Sequence, residues 1–142
     1  MNFAQFGRRM QQIGVNVETN AAKAVKLTAL AVDQTVVLAT PVDTGRARAN
    51  WQVQAGAAPA GVRDAYVPGT GATTGAQNAQ AAIEQGKIAI SAATPGLAIH
   101  ITNNLPYIGK LNEGHSAQAP AGFVEQAVQN GVATVRRTRL IE

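Results

Sequence analysis

The first 39 residues carry apolar side chains at intervals of three and four, the spacing of one helix face. A second apolar row widens this face in the later half and indicates that this half is buried on most sides. We predict that the helix ends before Pro41, because proline donates no backbone hydrogen bond and restricts the preceding residue. The first row is Phe3, Phe6, Met10, Ile13, Val17, Ala21, Ala24, Leu27, Leu30 and Val37, and the second row is Val25, Ala29, Val32 and Val36.

A helix of this length is long for a small domain. From Phe3 to Ala39 it would span about 55 Å, whereas a compact domain of this size is roughly 37 Å across. The helix therefore either breaks or protrudes, and Gly14 is the candidate break because glycine costs about 1 kcal/mol in a helix interior. If the helix protrudes, its apolar row needs a neighbouring chain to cover it.

Residues 42–55 indicate a turn followed by a strand. Asp43 can accept a backbone N–H two residues on, and Gly45 can take a positive φ. From residue 46 to residue 55, small or apolar residues alternate with polar ones, which predicts a half-buried strand. Trp51, the only tryptophan, is expected in the core with its ring N–H bound to a carbonyl.

The rest of the chain carries loop, helix and strand signals in turn. Residues 56–75 are rich in Gly, Ala, Pro and Thr and predict an exposed loop, of a length that is commonly functional or ordered by a partner. Thr74 could cap a helix running to about Ala92, although residues 88–90 fit a strand equally well. Alternation over residues 97–102 predicts another strand, and the segment that opens with Pro120 predicts a last helix.

Together these elements predict a single α+β domain over residues 1–142, with a long N-terminal helix, a small antiparallel or mixed sheet and a C-terminal helix. Two or three strands are marginal alone, so the sheet must pack on helices or be extended by a neighbour. Only 14% of the residues are charged, against roughly 25% in ordinary soluble domains. The neutral surface this leaves is suited to subunit interfaces.

Few residues carry recognisable catalytic or metal-binding chemistry. The triplet Asp43-Thr44-Gly45 matches that of aspartic proteases, but it follows Thr-Pro-Val rather than an apolar strand, so a turn is the preferred interpretation. His100 and His115 are the only two imidazoles, no H-x-x-x-H or similar spacing joins them, and cysteine is absent, so the nearby Glu113 does not make a zinc site the preferred interpretation. We therefore predict no enzyme, no catalytic, cofactor-binding or metal site, and no membrane span, since no apolar stretch approaches about 20 residues.

Two segments are more specific: residues 40–51, TPVDTGRARANW, and residues 103–123, NNLPYIGKLNEGHSAQAPAGF. They resemble the lambdoid-phage tail-component family. Its members share a PVDTG-R turn after a long N-terminal helix, an N-N-x-P-Y turn, an L-x-x-G step and a Pro-Gly-aromatic start of the last helix. All four features occur here in that order, and residues 56–93 contribute least to the resemblance.

The resemblance implies a structural virion protein at the head–tail interface, in tail completion, tail termination or head–tail joining. Such a subunit forms a ring, of about six copies, against other neck, connector or tail-tube proteins. It is made in the host cytoplasm and ends in the virion neck or tail. The resemblance carries over no catalytic residue, and it implies interface roles at the turns. These residues are Asp43, Gly45, Arg46, Arg48, Asn104, Pro106, Tyr107, Glu113 and Gly114.

The formal net charge of +4 leaves a second hypothesis open. Arg136, Arg137 and Arg139 near the C-terminus could face DNA that passes through the ring and make non-specific phosphate contacts. The alternative function is a DNA-binding or packaging accessory protein that uses the basic termini directly. Arginines in a last helical turn are also favoured simply by the helix dipole.

Overall fold

A single helix, α1 (Phe3–Ala39), opens the chain in a computed structural model that describes residues 2–70 and 72–137. The Asn2 side chain accepts the Gln5 N–H and the Gln5 side chain accepts the Asn2 N–H, both at 2.9 Å, which closes a capping box. No break occurs at Gly14. The helix therefore protrudes rather than breaks: the described side chains of residues 2–16 are exposed, whereas Val36 and Val37 are buried.

The core forms around the second half of α1. The main cluster of buried residues joins α1 to the segments 51–55, 75–91 and 123–136, and it consists of Val36, Val37, Trp51, Ala79, Ala82 and Ala127. Trp51 is buried as expected, but its ring N–H donates to the Thr40 hydroxyl at 2.7 Å rather than to a carbonyl. That hydroxyl in turn donates to the Val36 carbonyl at 2.7 Å, so the C-terminal end of α1 is tied to the core.

The strand predicted over residues 46–55 is wrong in its first half. Residues Arg46–Ala49 form a short helix, α2, and the strand β1 covers only Trp51–Ala55. The turn continues into a helical turn because the Ala49 N–H donates to the Gly45 carbonyl at 3.1 Å. A single helical turn with buried Ala47 and Ala49 gives the same short alternation as a strand, so the pattern could not distinguish them.

The sheet has two antiparallel strands, β1 and β2 (Ile99–Asn103), with Val53 opposite Ile101. The helix α3 (Gly75–Ser91) precedes β2 and contains residues 88–90, which decides against the strand alternative for that segment. Gln85 of α3 closes the outer edge of β1, because its amide accepts the Val53 N–H at 3.1 Å and donates to the Val53 carbonyl at 2.9 Å. These two strands pack on helices, as a sheet of this size requires.

The last third of the chain adds two helices, α4 (Ile108–Asn112), which the sequence pattern did not predict, and α5 (Phe123–Arg136). Asn112 joins them: its side-chain oxygen accepts the Val124 N–H and its amide N–H group donates to both oxygens of Glu125, all at 2.9 Å. The backbones of α5 and α1 lie close together at Gly131, where an added Cβ atom would lie 2.8 Å from the Val32 Cα. Glycine is therefore required there by packing.

The segment between β1 and α3 contains no helix or strand among its described residues, as predicted. Two buried asparagines hold it in place without a partner chain. Asn50 accepts the Arg63 N–H and donates to the Arg63 carbonyl, both at 2.8 Å. Asn78 does the same for Val67, at 3.1 and 2.9 Å. The chain's own side chains thus order this loop.

One carboxylate is enclosed in the core. Asp33 of α1 is fully buried, and neither of its oxygens has a hydrogen-bond partner among the described residues. It faces Gly86 of α3, where any Cβ atom would overlap the carboxylate. Burial raises the pKa of Asp33 from 3.8 to about 7, because an ionised carboxylate loses its hydration there.

We expect this carboxylate to make the protein less stable as the pH rises. The unfolded chain releases the Asp33 proton near pH 3.8, whereas the folded protein keeps it up to about pH 7. The stabilisation is complete below pH 3.8 and is lost as the pH rises through 7; it corresponds to at most about 4 kcal/mol. Urea unfolding of the wild type and of Asp33→Asn at pH 5 and pH 8 measures the part that is lost above pH 5, at most about 3 kcal/mol. The variant should lose less free energy of unfolding between the two pH values, and the exposed Asp64→Asn should behave as wild type. Equal pH dependence in Asp33→Asn and wild type would refute this assignment.

Candidate functional site

The two sequence segments that carry the family resemblance meet in space. Gln118, from the second segment, lies beside the turn of the first: its side-chain oxygen accepts the Val42 N–H at 2.7 Å and its amide donates to the Val42 carbonyl at 2.6 Å. Between them lies an open cleft of about 490 Å³. We call it the motif cleft; it is lined by Pro41, Val42, Asp43, Thr44, Arg46, Ala47, Tyr107, Leu111, His115, Ser116 and Gln118.

The motif cleft contains groups of both charges beside a phenol. Asp43 is exposed, Arg46 is half-buried, and Tyr107 is 37% exposed. Burial raises the pKa of Tyr107; the positive charge of Arg46 opposes this rise and the negative charge of Asp43 adds to it. Both charged groups therefore influence the Tyr107 hydroxyl. The cleft also combines a stiff aromatic ring with hydrogen-bonding groups, a combination favoured at protein interfaces.

The turn that supports the cleft has the predicted glycine geometry. Gly45 has φ +83°, and a Cβ atom there would overlap the Asn78 side chain, so glycine is needed for both conformation and space. The Asp43 carboxylate was expected to accept a backbone N–H two residues on. Instead, the side chain of the next residue fills this role: the Thr44 hydroxyl accepts the Arg46 N–H at 3.4 Å. This leaves the Asp43 side chain exposed at the surface.

The two arginines after the turn have different positions. Arg48 is half-buried, and its guanidinium group donates to the carbonyls of Leu38, Thr40 and Gly75 at 3.1, 2.9 and 3.2 Å. Burial lowers the pKa of Arg48. Arg46 lines the cleft and donates to the Arg63 carbonyl at 3.3 Å. Arg48 therefore acts within the chain as a cap for the C-terminal end of α1, where cations are favoured.

The residues singled out in the second segment mostly shape the backbone around the cleft. The Asn104 amide donates to the Pro59 and Gly61 carbonyls at 2.9 and 3.1 Å and so anchors the 56–74 loop. Gly114 has φ +95°, and a Cβ atom there would lie 3.2 Å from the Ala121 Cβ. Pro106 and Glu113 are exposed.

Arg136 and Arg137, near the C-terminus, do not line the motif cleft. Arg136 ends α5 and Arg137 follows it, and both are exposed. Arg139 lies outside the described residues. The exposed pair can contact an anionic partner without any rearrangement of the described chain.

A second exposed surface lies on the protruding half of α1. Four large apolar side chains on one helix face are strongly exposed, which is unusual for residues of this type. We call them the N-terminal stripe: Phe3 at 95%, Phe6 at 55%, Met10 at 52% and Ile13 at 47% exposure. Since fully exposed side chains of this size present roughly 150 to 250 Å² each, the stripe leaves on the order of 450 Å² of apolar surface in water. A patch of this size matches the largest apolar patch of a typical monomer, and such patches are often functional.

Sequence reasoning missed the amide side chains that position the cleft and its surroundings. Gln118, Asn78 and Asn112 each bond to the backbone of a distant segment, and their sequence context gives no periodic signal. Gln118 does lie inside the second motif segment, which was the one available indication. Asp33 was also missed, because a single charged residue in a helix normally indicates the solvated face.

The described residues contain no group of three or more His, Cys, Asp or Glu side chains that could hold a metal ion. None of the helices they form combines the length and the hydropathy required for a membrane span. Comparisons of the chain with family models, with curated proteins and with solved structures find no match.

Replacing Gln118 by alanine should loosen the motif cleft. Two hydrogen bonds to Val42 are lost, which should lower the free energy of unfolding by about 1 to 3 kcal/mol. Hydrogen exchange at the Val42 amide should become faster while exchange at Val37, in the core, changes little. Gln80→Ala, at an exposed position of α3, is the control and should leave both unchanged. An unaltered Val42 exchange rate in Gln118→Ala would contradict the role assigned to this amide.

Proposed function

We propose that this chain is a structural virion subunit of a tailed bacteriophage that assembles into a ring at the head–tail interface, in tail completion, tail termination or head–tail joining. The observation that carries the proposal is the first half of α1, which extends beyond the core with the N-terminal stripe exposed. The proposal assigns the chain no catalytic role. Its location is the neck or tail of the virion, after synthesis in the host cytoplasm.

The stripe supports self-assembly because the chain's own core does not cover it. A soluble protein that stays monomeric gains nothing from four large apolar side chains held in water on a rigid helix. Burying about 450 Å² of apolar surface is worth on the order of 10 kcal/mol before the entropy cost of association. The low charged fraction, 14% of residues, supports extensive subunit contacts in the same way.

The motif resemblance supports the assignment to a phage neck or tail. Its two segments form one surface, the motif cleft, although they are separated by more than 50 residues in the chain. In the proposed ring this cleft, with Asp43, Arg46 and Tyr107, contacts a neighbouring neck, connector or tail-tube protein. The ring size of about six copies is taken from the resemblance.

Light scattering of the purified protein over a wide concentration range tests the ring. We expect a stable mass of about six times 14.7 kDa, with closed rings in electron micrographs. Phe6→Glu should shift the protein towards the monomer, because it places a charge on the stripe that assembly of the ring would bury. Val15→Glu is a matched control, since Val15 is also 55% exposed and lies on the opposite helix face. A wild type that is monomeric throughout, or a Val15→Glu variant as defective as Phe6→Glu, would contradict the proposal.

The second candidate function, a DNA-binding or packaging accessory protein, is favoured by the exposure of Arg136 and Arg137. The ring proposal predicts only weak binding of the isolated protein to duplex DNA, with a dissociation constant of roughly 10⁻⁴ to 10⁻⁶ M at physiological salt. Replacing both arginines by alanine should weaken binding no more than the same change at the exposed Lys23 and Lys87. Nanomolar, steeply salt-dependent binding that only the arginine variant loses would favour the accessory function instead.

A further inference from the structure

A groove on the body of the molecule matches the N-terminal stripe in chemistry. It runs between α1 and β2 and has two parts, of about 730 Å³ and about 400 Å³. Val25 and Ile99 line both parts, so the two parts adjoin each other. Ala21 and Leu97 line the larger part and Ile101 the smaller one, which makes the walls largely apolar. We call it the α1–β2 groove.

We propose that the N-terminal stripe of one copy lies in the α1–β2 groove of a neighbouring copy. The inference rests on the self-assembly proposed above, and it names the two surfaces that form each contact. An amphipathic helix that lays its apolar face into an apolar groove is a common mode of recognition.

The stripe cannot fill the groove of its own copy. The stripe and one wall of the groove lie on α1, which is one uninterrupted helix of 37 residues, so the stripe at residues 3–13 cannot fold back onto the groove wall at residues 18–32. The two surfaces can therefore meet only between molecules. Because the two surfaces differ, the contact is head-to-tail, the type that closes rings or extends filaments.

The dimensions of the two surfaces agree. The stripe from Phe3 to Ile13 is about 15 Å long, and the groove wall from Glu18 to Val32 is about 21 Å long. A stable interface buries about 800 Å² on each partner. The stripe provides about half of this area, and the residues on either side of it provide the remainder as they meet the groove rim.

The groove also borders a strand edge that needs a cover. Both backbone groups of Val53 bond to Gln85, so Val53 and its partner Ile101 do not bond to each other, and the Ile101 N–H and carbonyl point to the outer side of β2. Proteins commonly protect such an edge with a helix. Gln85 protects the β1 edge within the chain, and the neighbour's helix would cover the β2 edge.

The charges around the two surfaces are compatible with this contact. Arg8 and Arg9 are the only charged residues before Glu18 in the sequence, so the stripe segment is positive. Glu18 lies at the end of the groove, and the other charged residue lining it, Lys26, donates to the Ser91 carbonyl at 3.2 Å. A positive helix therefore approaches a groove end that carries an acidic group.

Two surface variants test the contact when mixed. Leu97→Glu spoils the groove and leaves the stripe intact, whereas Phe6→Glu spoils the stripe and leaves the groove intact. Each should raise the dissociation constant of self-association by about 100-fold, since each buries a charge against apolar groups. A mixture of the two should form a heterodimer of twice 14.7 kDa and nothing larger, because only one of the two possible contacts is competent.

The controls separate failure of this contact from failure to assemble. Leu38→Glu changes a leucine that is 57% exposed and lies outside the groove, and it should assemble like wild type; Leu97 is 48% exposed, so its variant should fold. If wild type forms rings and Leu97→Glu does so equally well, the groove assignment is overturned while the ring stands. If Leu97→Glu alone still dimerises and the mixture gives no heterodimer, two stripes pair with each other and the proposal is wrong. A monomeric wild type overturns both proposals.

Cysteine pairs provide the geometric test, because the chain has no cysteine of its own. A variant carrying both Met10→Cys and Leu97→Cys should form disulfide-linked oligomers on mild oxidation. Mixing the two single variants should give cross-linked dimers of one with the other. Gln12→Cys with Leu97→Cys places the thiol away from the stripe and should cross-link at least about tenfold less, since Gln12 faces nearly the opposite side of α1. Equal cross-linking of both pairs would overturn the proposed orientation of the helix.

Discussion

Packing against the second half of α1 is the constraint on which the other parts of the structure depend. The two-stranded sheet, α3 and α5 each contact this half, and Gly131 allows α5 to approach its backbone directly. The hydrogen bonds from Trp51 to Thr40 and from Thr40 to Val36 join its end to the sheet. A sheet of two strands is marginal alone, so without this helix neither the core nor the motif cleft would form.

Amide side chains supply much of the remaining order. With so little regular sheet, many backbone groups need partners from elsewhere, because an unpaired buried N–H or carbonyl is costly. Several amides bond to the backbone of a distant segment and thereby replace a missing strand or cap; all but Asn112 use both their oxygen and their N–H group for this, whereas the Asn112 N–H group donates to the Glu125 carboxylate. These amides are Asn50, Asn78, Gln85, Asn112 and Gln118. These groups are neutral, in keeping with the low charged fraction of the chain.

The first half of α1 does not take part in this core. It is helical and begins with a capping box, yet the large apolar side chains on its face remain exposed, so this segment forms a helix without burying its apolar face. An isolated helical segment of this kind gains its stability in proteins mainly from packing. The proposed contact with a neighbouring groove would supply that packing, and it would make the ring and the order of this segment interdependent.

The sequence by itself determined the elements whose signal is local. The 3.6-residue period of α1 and α5, the stop at Pro41, the positive φ at Gly45 and the α+β composition could all be read from neighbouring residues. The period-two pattern over residues 46–49 predicted a strand where the chain forms a helical turn, because one helical turn and a short strand can both expose alternate residues. Only the tertiary structure decided that α1 protrudes, that Asp33 is enclosed, and that Gln118 joins the two motif segments into one cleft. Those outcomes depend on which distant surfaces come together, and the spacing of residues along a chain does not encode the partners of a side chain 70 residues away.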